Sequence, residues 1–551
     1  MAYTLRQRKQ NTNYADSDSP GSGSIGSGTD YLSRRSSRPK KRRNSSVNLS
    51  ARRRRGRTSK RAQEVQNKEA GDATSSNLKN GTLTAEQQSS NKKTILSWLI
   101  DCCVIKKGDR VIYSNDIKES TDKRGNIARG GILCCCCQKE YSVWAFEKHC
   151  GSDLNQPYEH IYLLEKQISL LESMMIAWHE NSELKHQETH FFVPKRTAGD
   201  KNDYACPICG DGGDLICCDK CPSAFHLNCL NMERLPQGEW LCPYCACKHC
   251  GLGDERKQLI PCFQCNKKFH WGCFKEFEKE ALKDALELDC SSLYCGRSCR
   301  KTYEKLENFI GLRNKLDESY SWRVIRKMER TSTVTKHQYF ENNAKLAITR
   351  KLMDEAFETI VDKYTGVNVI QSVLYSLRSN LTRVNYSRFY TFILEKDDEI
   401  VCAATVRIHG QRLADMPFIA THTAFLRQGY CAYLLGVMES ILFSLGVENL
   451  IIPSIQETVS MWGIKFGFHD PSIELKREIT TYNILMFFQS IMLRKDLTIK
   501  KPESDDGDKK EERQTDNQNV LEPQNNPVDR SLLDLNMPPP EECMMAVEDD
   551  V

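Results

Sequence analysis

A multidomain chain of α+β class follows from three features of the 551-residue sequence. Sixteen of its 26 cysteines fall between Cys206 and Cys299, interleaved with histidines. Residues 340–495 then change character: cysteines nearly vanish, and strand-like runs alternate with helical ones. Charge is segregated as well. Residues 1–61 hold 17 Lys/Arg against Asp16, Asp18 and Asp30, whereas Glu503 to Val551 holds 15 acids against 4 bases. These features predict a disordered basic head (1–93), a small Cys-rich α+β domain (94–180) and two consecutive zinc-held modules (203–246 and 247–300). A helical linker (301–335), an α/β domain (336–497) and a disordered acidic tail (498–551) follow.

The head is Ser, Asn, Gln, Lys and Arg with almost no large apolar residues, so it cannot bury enough surface to offset chain entropy. Its clusters Lys40-Lys41-Arg42-Arg43 and Arg52 to Arg55 with Arg57 read as a nuclear-import signal. They also permit weak nucleic-acid contact through displaced phosphate counterions. No apolar run reaches the roughly 18–20 residues a bilayer helix needs, and the N-terminus has no signal-peptide core, so a nuclear protein without membrane contact is expected. In a reducing compartment, clustered cysteines bind metal rather than form disulfides.

In the Cys-rich domain, Ile95 to Ile100 reads as a short helix and Val111 to Tyr113 as a strand. Gly130-Gly131-Ile132-Leu133 is a turn and strand leading into Cys134 to Cys137. Leu164, Ile168, Leu171, Met175 and Trp178 lie at helical spacing and predict an amphipathic helix from Leu163 to Trp178. Cys134, Cys137 and His149 are candidates for a zinc site, with buried thiols as the competing reading. Beyond Cys299, a helical segment is expected to run to about Lys327.

The first module reads Cys206-x2-Cys209, Cys218-x2-Cys221, His226-x2-Cys229, Cys242-x2-Cys245. A Cys-x2-Cys pair places two thiolates on one tetrahedral ion. Four Cys, one His and three Cys in that order resemble a PHD finger, with Trp240 as its core aromatic. A RING finger, the rival, brings its His earlier. The resemblance implies a cross-brace in which one zinc takes Cys206, Cys209, His226 and Cys229 and the other Cys218, Cys221, Cys242 and Cys245. The second module repeats the order with Cys247, Cys250, Cys262, Cys265, His270, Cys273, Cys295 and Cys299; Cys290 and His249 could be mistaken for ligands. Four structural zinc ions are expected, and a fifth if Cys134, Cys137 and His149 take one.

Gly210 to Ile216 resembles the PHD edge that pairs with an extended histone H3 tail. The resemblance implies contact through Asp211, Asp214, Leu215 and Ile216. Asp211 stands where a carboxylate pairs with unmodified lysine 4. Ala224 stands two residues before His226, where readers of trimethyl-lysine often carry a cage Trp.

Residues 340–495 resemble the GNAT acyltransferases. Glu399 to Ile408 and Leu413 to Thr421 read as central strands, Ala432 to Leu445 as a helix and Leu450 to Pro453 as a strand. Leu426-Arg427-Gln428-Gly429-Tyr430-Cys431 stands at the family's Gln/Arg-x-x-Gly-x-Gly/Ala loop, which binds coenzyme A pyrophosphate at a helix N-terminus. It departs from that pattern at Leu426 and Cys431. The resemblance implies acetyl-CoA contacts at Phe418, Ile419, Arg427, Gln428, Gly429, Tyr430 and Cys431. It also implies a catalytic base at Asp415, fourteen residues before Gly429, where the histone-acetylating branch has Glu.

Taken together, residues 94–495 are similar to the plant PHD-finger/GNAT proteins of the increased-DNA-methylation type, on Gly131 to Cys134, Phe146 to His149, Tyr294 to Cys299, Asn385 to Tyr390 and Met416 to Ile419. The resemblance implies a Topless-binding-type first domain, a nuclear histone H3 reader and histone acetyltransferase, and other chromatin-complex subunits as partners. In the tail, Leu533, Asp534, Leu535, Asn536 and Pro539 fit the plant Asp-Leu-Asn-x-x-Pro repression motif, which docks into Topless-type co-repressors. Three functions compete: an acetyltransferase aimed by its own reader, a reader and adaptor with a degenerate acyltransferase fold, and a DNA-binding protein. The last is disfavoured because the modules lack the paired-Cys, paired-His spacing of DNA-reading fingers.

Overall fold

The computed structural model describes residues 91–114, 123–180, 191–192, 202–253, 258–277, 294–317, 319–331 and 334–498. The basic clusters at 40–43 and 52–57, Cys290 and the motif at 533–539 lie outside them.

The Cys-rich domain opens with α1 (Ile95–Asp101), whose first turn is capped by the Thr94 hydroxyl accepting from Ser97 N. Strands β1 (Arg110–Tyr113), β2 (Lys123–Ile127), β3 (Ile132–Cys134) and β4 (Glu140–Tyr141) precede α2 (Val143–His149) and α3 (Pro157–His160). Then come β5 (Ile161–Leu163), β6 (Ile168–Ser169) and α4 (Leu170–Glu180). The strands form one antiparallel sheet in the order β4-β3-β2-β1-β5-β6. The helix expected from Leu163 therefore begins only at Leu170. Leu163 and Ile168 instead face each other across a hairpin. Its turn closes with Gln167 N donating to Leu163 O, at a Gln167 φ of +54° that no helix allows.

Phe191–Phe192 (β7) pairs in parallel with β14 (Arg378–Ser379). The first zinc module has β8 (Ile216–Cys217) and β9 (Ala224–Phe225). The second has β10 (Leu259–Pro261), β11 (Lys268–His270) and α5 (Trp271–Phe277).

The segment expected as a helical linker, 301–335, is helical only through α6 (Arg297–Glu307). After α6 it turns into β12 (Asn314–Lys315) and β13 (Tyr320–Ile325), which belong to the large sheet. Helices α7 (Lys336–Ala356) and α8 (Val369–Leu374) follow. Then come β15 (Phe389–Lys396), β16 (Glu399–Ile408), β17 (Ala414–Thr421), α9 (Tyr430–Ser444), β18 (Asn449–Ser454), α10 (Gln456–Phe466), α11 (Ile473–Ile479) and β19 (Ile491–Asp496). The seven-stranded order is β12-β13-β15-β16-β17-β18-β19, antiparallel throughout except for β17 beside β18.

Period-two alternation along β15 sends its side chains to two cores. Tyr390, Phe392 and Leu394 pack with Leu434, Met438 and Leu442 of α9. Phe389 and Ile393 pack on the other face with Phe340, Ile348 and Leu352 of α7. That second core continues without a break into Leu96, Trp98, Phe146, Leu170 and Met174. The Cys-rich domain and the α/β domain thus share one core rather than standing as separate units.

A buried ion network crosses the same seam. Glu395 on β15 accepts from Lys345 and from Arg323 Nε at 2.9 Å, and Arg323 also reaches Glu341 at 2.9 Å; all four are nearly solvent-free. Burial alone would raise the Glu395 carboxyl, but the two cations hold it below its ordinary value. Removing one member leaves uncompensated buried charge. Glu395→Ala should lower unfolding free energy by about 3–5 kcal/mol, read as a lower urea midpoint. An unchanged midpoint would contradict the network's role.

Candidate functional site

Each zinc cluster joins a tight Cys-x2-Cys turn to a second pair: His226 and Cys229 follow β9, His270 ends β11, Cys245 ends a single 3-10 turn (Pro243–Cys245), and Cys295 and Cys299 lie around the start of α6. Cys206, Cys209, His226 and Cys229 converge, as do Cys218, Cys221, Cys242 and Cys245. Cys247, Cys250, His270 and Cys273 form the third group and Cys262, Cys265, Cys295 and Cys299 the fourth. The sixteen ligands read from spacing are the sixteen residues found in these groups. His249 instead faces the Cys295 carbonyl at 3.1 Å. Tetrahedral thiolate and imidazole ligands of one zinc sit about 3.5–3.8 Å apart. Here Cys209 Sγ is 3.3 Å from His226 Nδ1, Cys221 and Cys242 are 3.5 Å apart, Cys250 is 3.5 Å from His270 Nδ1, and Cys265 and Cys295 are 3.6 Å apart. The donor sets fit structural zinc. His226 turns Nδ1 toward the cluster and places Nε2 3.0 Å from the Gly212 carbonyl, an outer contact that fixes its tautomer.

Gly212 belongs to the expected histone-binding loop. Leu215 and Ile216 are buried in the finger's own core, whereas Asp211 is half-buried at the rim and Asp214 is exposed. Asp211 is already engaged. Its Oδ1 lies 3.3 Å from Lys363 Nζ and 3.4 Å from the Tyr364 hydroxyl, which also accepts from Gly212 N at 2.8 Å. Phe488 backs Gly210. The finger is anchored there by Arg383, which bridges Asp203 and Asp362. The second finger docks through Gln264 donating to Ile408 O at 3.0 Å and Arg388 donating to Cys262 O at 2.6 Å. These contacts join segments more than a hundred residues apart, and no local motif announces them.

In the large sheet, β17 and β18 pair only at Ala414–Leu450 and Asp415–Ile451. Beyond Asp415 the two strands no longer pair, and the β18-facing backbone of Met416 to Thr421 has no strand partner among the described residues. Phe418 is buried between Phe357 and Phe487, with ring centroids at 5.4 and 5.6 Å; Ile419 is half-buried. At the next turn, Leu426 to Gly429 is exposed, and Gly429 caps α9 at φ +83° with no side-chain hydrogen bond. The first-turn N–H groups of such a helix have no intrahelical partner. Tyr430 and Cys431 therefore offer backbone donors to a pyrophosphate, and the glycine conformation lets the chain turn there. Arg427 adopts φ +61°, and Gln428 donates to Ala424 O at 3.1 Å. The residues fit coenzyme A at the level of backbone.

Asp415 does not match its expected role as an available base. It is fully buried. Its carboxylate meets His409 Nε2 at 2.6 Å, Arg407 Nε and Nη2 at 3.3 and 3.4 Å, and Leu485 N at 3.3 Å. Burial would raise its carboxyl, but Arg407 and His409 hold it below the ordinary value, while burial lowers His409. The carboxylate is a structural counter-ion whose lone pairs are spent within the protein. Its cross-strand partner is Arg407, a pairing fixed by the β16–β17 register.

Comparison with known proteins agrees with this layout. Residues 357–496 match the family model described as Increased DNA methylation 1, C-terminal domain, and residues 199–246 that of the first PHD zinc finger of NSD-like histone-lysine N-methyltransferases. Residues 125–177 match the Tify domain binding domain, a different partner word from the Topless-binding type expected for this segment. The Arabidopsis thaliana protein Increased DNA methylation 1 is 34% identical over 432 residues, which cover 77% of this chain and 36% of that protein. The chain is a homologue of that protein. It spans little more than a third of its relative's length. The mouse histone-lysine N-methyltransferase NSD3 is 55% identical over 51 residues, 9% of this chain and 4% of that protein. The human Autoimmune regulator is 53% identical over 47 residues, 8% of this chain and 9% of that protein. Among solved structures, Tetrahymena GCN5 is 14% identical, covering 32% of this chain and 95% of its own, with a TM-score of 0.24. The Escherichia coli ribosomal-protein-S18-alanine N-acetyltransferase is 14% identical, covering 28% and 90%, with a TM-score of 0.20.

Metal removal tests the zinc assignment. Structural zinc contributes about 10–16 kcal/mol apparent in small modules. Chelation should therefore raise hydrogen exchange throughout 202–277 while β15–β17 stay protected. Fingers that keep their protection without metal would contradict it.

Proposed function

We propose that this chain is a nuclear chromatin regulator that engages the unmodified histone H3 tail through its first finger. The observation that carries this is Asp211, a half-buried carboxylate in the loop before the zinc-held strand Ile216–Cys217, which already holds a lysine ammonium, that of Lys363. The same oxygen geometry suits lysine 4 of H3. The position two residues before His226 is Ala224, small, buried and apolar, so no cage tryptophan stands there. The matches to a PHD finger and to a Tify-binding domain support a role in chromatin-linked transcription. The Leu533–Pro539 motif supports recruitment of a Topless-type co-repressor. Similarity to Increased DNA methylation 1 supports an influence on DNA methylation state.

In this reading the α/β domain is an acyl-CoA-binding scaffold first and a catalyst second. A coenzyme A pyrophosphate would be held by the backbone at Gly429, Tyr430 and Cys431, and its amide arm by the strand from Phe418 and Ile419. Bound acetyl-CoA would supply an activated acetyl thioester. A lysine ammonium near pKa ~10.4 needs a base before it can attack, and Asp415 is not free to be that base. The adaptor function is therefore favoured over efficient histone acetylation.

Lys363 and a histone lysine compete for one carboxylate. Lys363→Ala should tighten binding of an unmodified H3 N-terminal peptide severalfold, and Asp211→Ala should weaken it roughly tenfold or more, both by calorimetry. No response to either change would remove Asp211 from the reader. The intact chain should bind acetyl-CoA saturably; absence of binding at about millimolar concentration would leave the fold without its cofactor. Asp415→Asn should cost about 3 kcal/mol of stability and leave any acetyl transfer per folded molecule unchanged. A selective loss of turnover without a drop in Tm would restore Asp415 as the base.

A further inference from the structure

We propose that the Cys-rich domain holds its own zinc ion, bound by Cys134, Cys136, Cys137 and His149 and outside both fingers. Four observations meet there. The first is convergence. Cys134 ends β3, Cys136 and Cys137 lie on the following turn, and His149 ends α2, yet their ligand atoms come within 4.8 Å of one another. Cys134 Sγ lies 3.4 Å, Cys136 Sγ 3.2 Å and Cys137 Sγ 3.8 Å from His149 Nε2, and Cys134 and Cys136 are 3.1 Å apart. These separations suit ligands of one tetrahedral ion.

The second observation is the backbone, and it is independent of the side chains. In the fingers, each turn carrying a Cys-x2-Cys pair is tied in one way where it starts at Cys206, Cys247 or Cys262. The first Cys N–H donates to the carbonyl five residues on: Cys206 to Asp211, Cys247 to Leu252, Cys262 to Lys267. Its carbonyl accepts from the N–H four residues on: Gly210, Gly251 and Asn266. That fourth residue takes a positive φ of 73°, 72° or 60°. The turn at Cys134 repeats all three features. Cys134 N donates to Lys139 O at 2.9 Å, Gln138 N donates to Cys134 O at 3.0 Å, and Gln138 sits at φ +57°. A left-handed glutamine is uncommon, and here it closes the same metal-holding knuckle.

Third, plain packing does not account for the thiols. Cys134 is buried, but Cys136 is exposed and Cys137 and His149 are half-exposed. A hydrophobic thiol has no reason to turn toward an imidazole at the surface. Fourth, the imidazole is held in orientation from outside: Tyr141 stacks on His149 with centroids 4.5 Å apart and places its hydroxyl 3.5 Å from Cys137 Sγ. Three thiolates and one imidazole are a soft, tetrahedral set that selects zinc over oxygen-loving cations. The ion would pin the end of α2 to the β3–β4 turn. That does for this small sheet what the other ions do for the fingers.

The test is the zinc content of the intact, purified chain by elemental mass spectrometry. The expected count is five per chain, falling to four in Cys137→Ser/His149→Ala. His149→Cys, which replaces the imidazole with a thiolate, should keep five. Four zinc ions in the wild type would overturn the proposal without reference to any variant. So would equal counts in the wild type and the double variant.

Discussion

Metal ligation is the constraint on which the rest of this molecule depends. The first finger's core is Leu215, Ile216, Ala224 and Phe225 among its own cysteines, and the second's is little more than Phe269 and Phe274. Such cores are too small to offset the entropy of ordering their loops. Zinc makes them rigid, and rigidity lets them dock. Only a fixed loop can hold Gly212 against Tyr364 and Gln264 against Ile408. The first finger is thereby set against the α/β domain rather than hanging from a linker.

The second organising feature is the shared core between the Cys-rich domain and the large sheet. Helix α7 serves both: Phe340 and Leu352 face the apolar seam, while Lys345 and Glu341 enter the ion network. Trp144 joins from the Cys-rich side, its backbone N–H donating to Asp398 at 3.2 Å and its ring beneath Arg313 at 4.8 Å. A partner bound by the Cys-rich domain would thus act on a body continuous with the large sheet.

How much of this was legible in the sequence follows the range of each interaction. Zinc ligands carry their own spacing, so all sixteen finger ligands were readable, as were the central strands and the Gly429 turn. The fifth cluster was readable in three of its four residues: Cys134, Cys137 and His149 stood out, but Cys136 did not, because only the folded turn aims it at His149. The Leu163–Trp178 stripe misled because a hairpin followed by a helix can carry the same apolar spacing as one longer helix. Strand β13 was hidden by Arg323, a charge that is tolerable in a central strand only because Glu341 and Glu395 meet it from distant segments. Asp415 sat at the right distance from Gly429, yet spacing says nothing of Arg407 and His409 beside it. Nor could the sequence show Lys363 resting on Asp211.

The proposed recognition of an unmethylated lysine ammonium by Asp211 rests on a finger whose residue two before His226 is the small, buried Ala224. Its most direct measurement is calorimetric titration of the intact, zinc-loaded chain with two H3 N-terminal peptides, one unmodified and one trimethylated at lysine 4. The account expects the unmodified peptide to bind more tightly by about tenfold or more, since trimethylation removes every N–H that the carboxylate can accept. Equal affinities, or tighter binding of the trimethylated peptide, would contradict it.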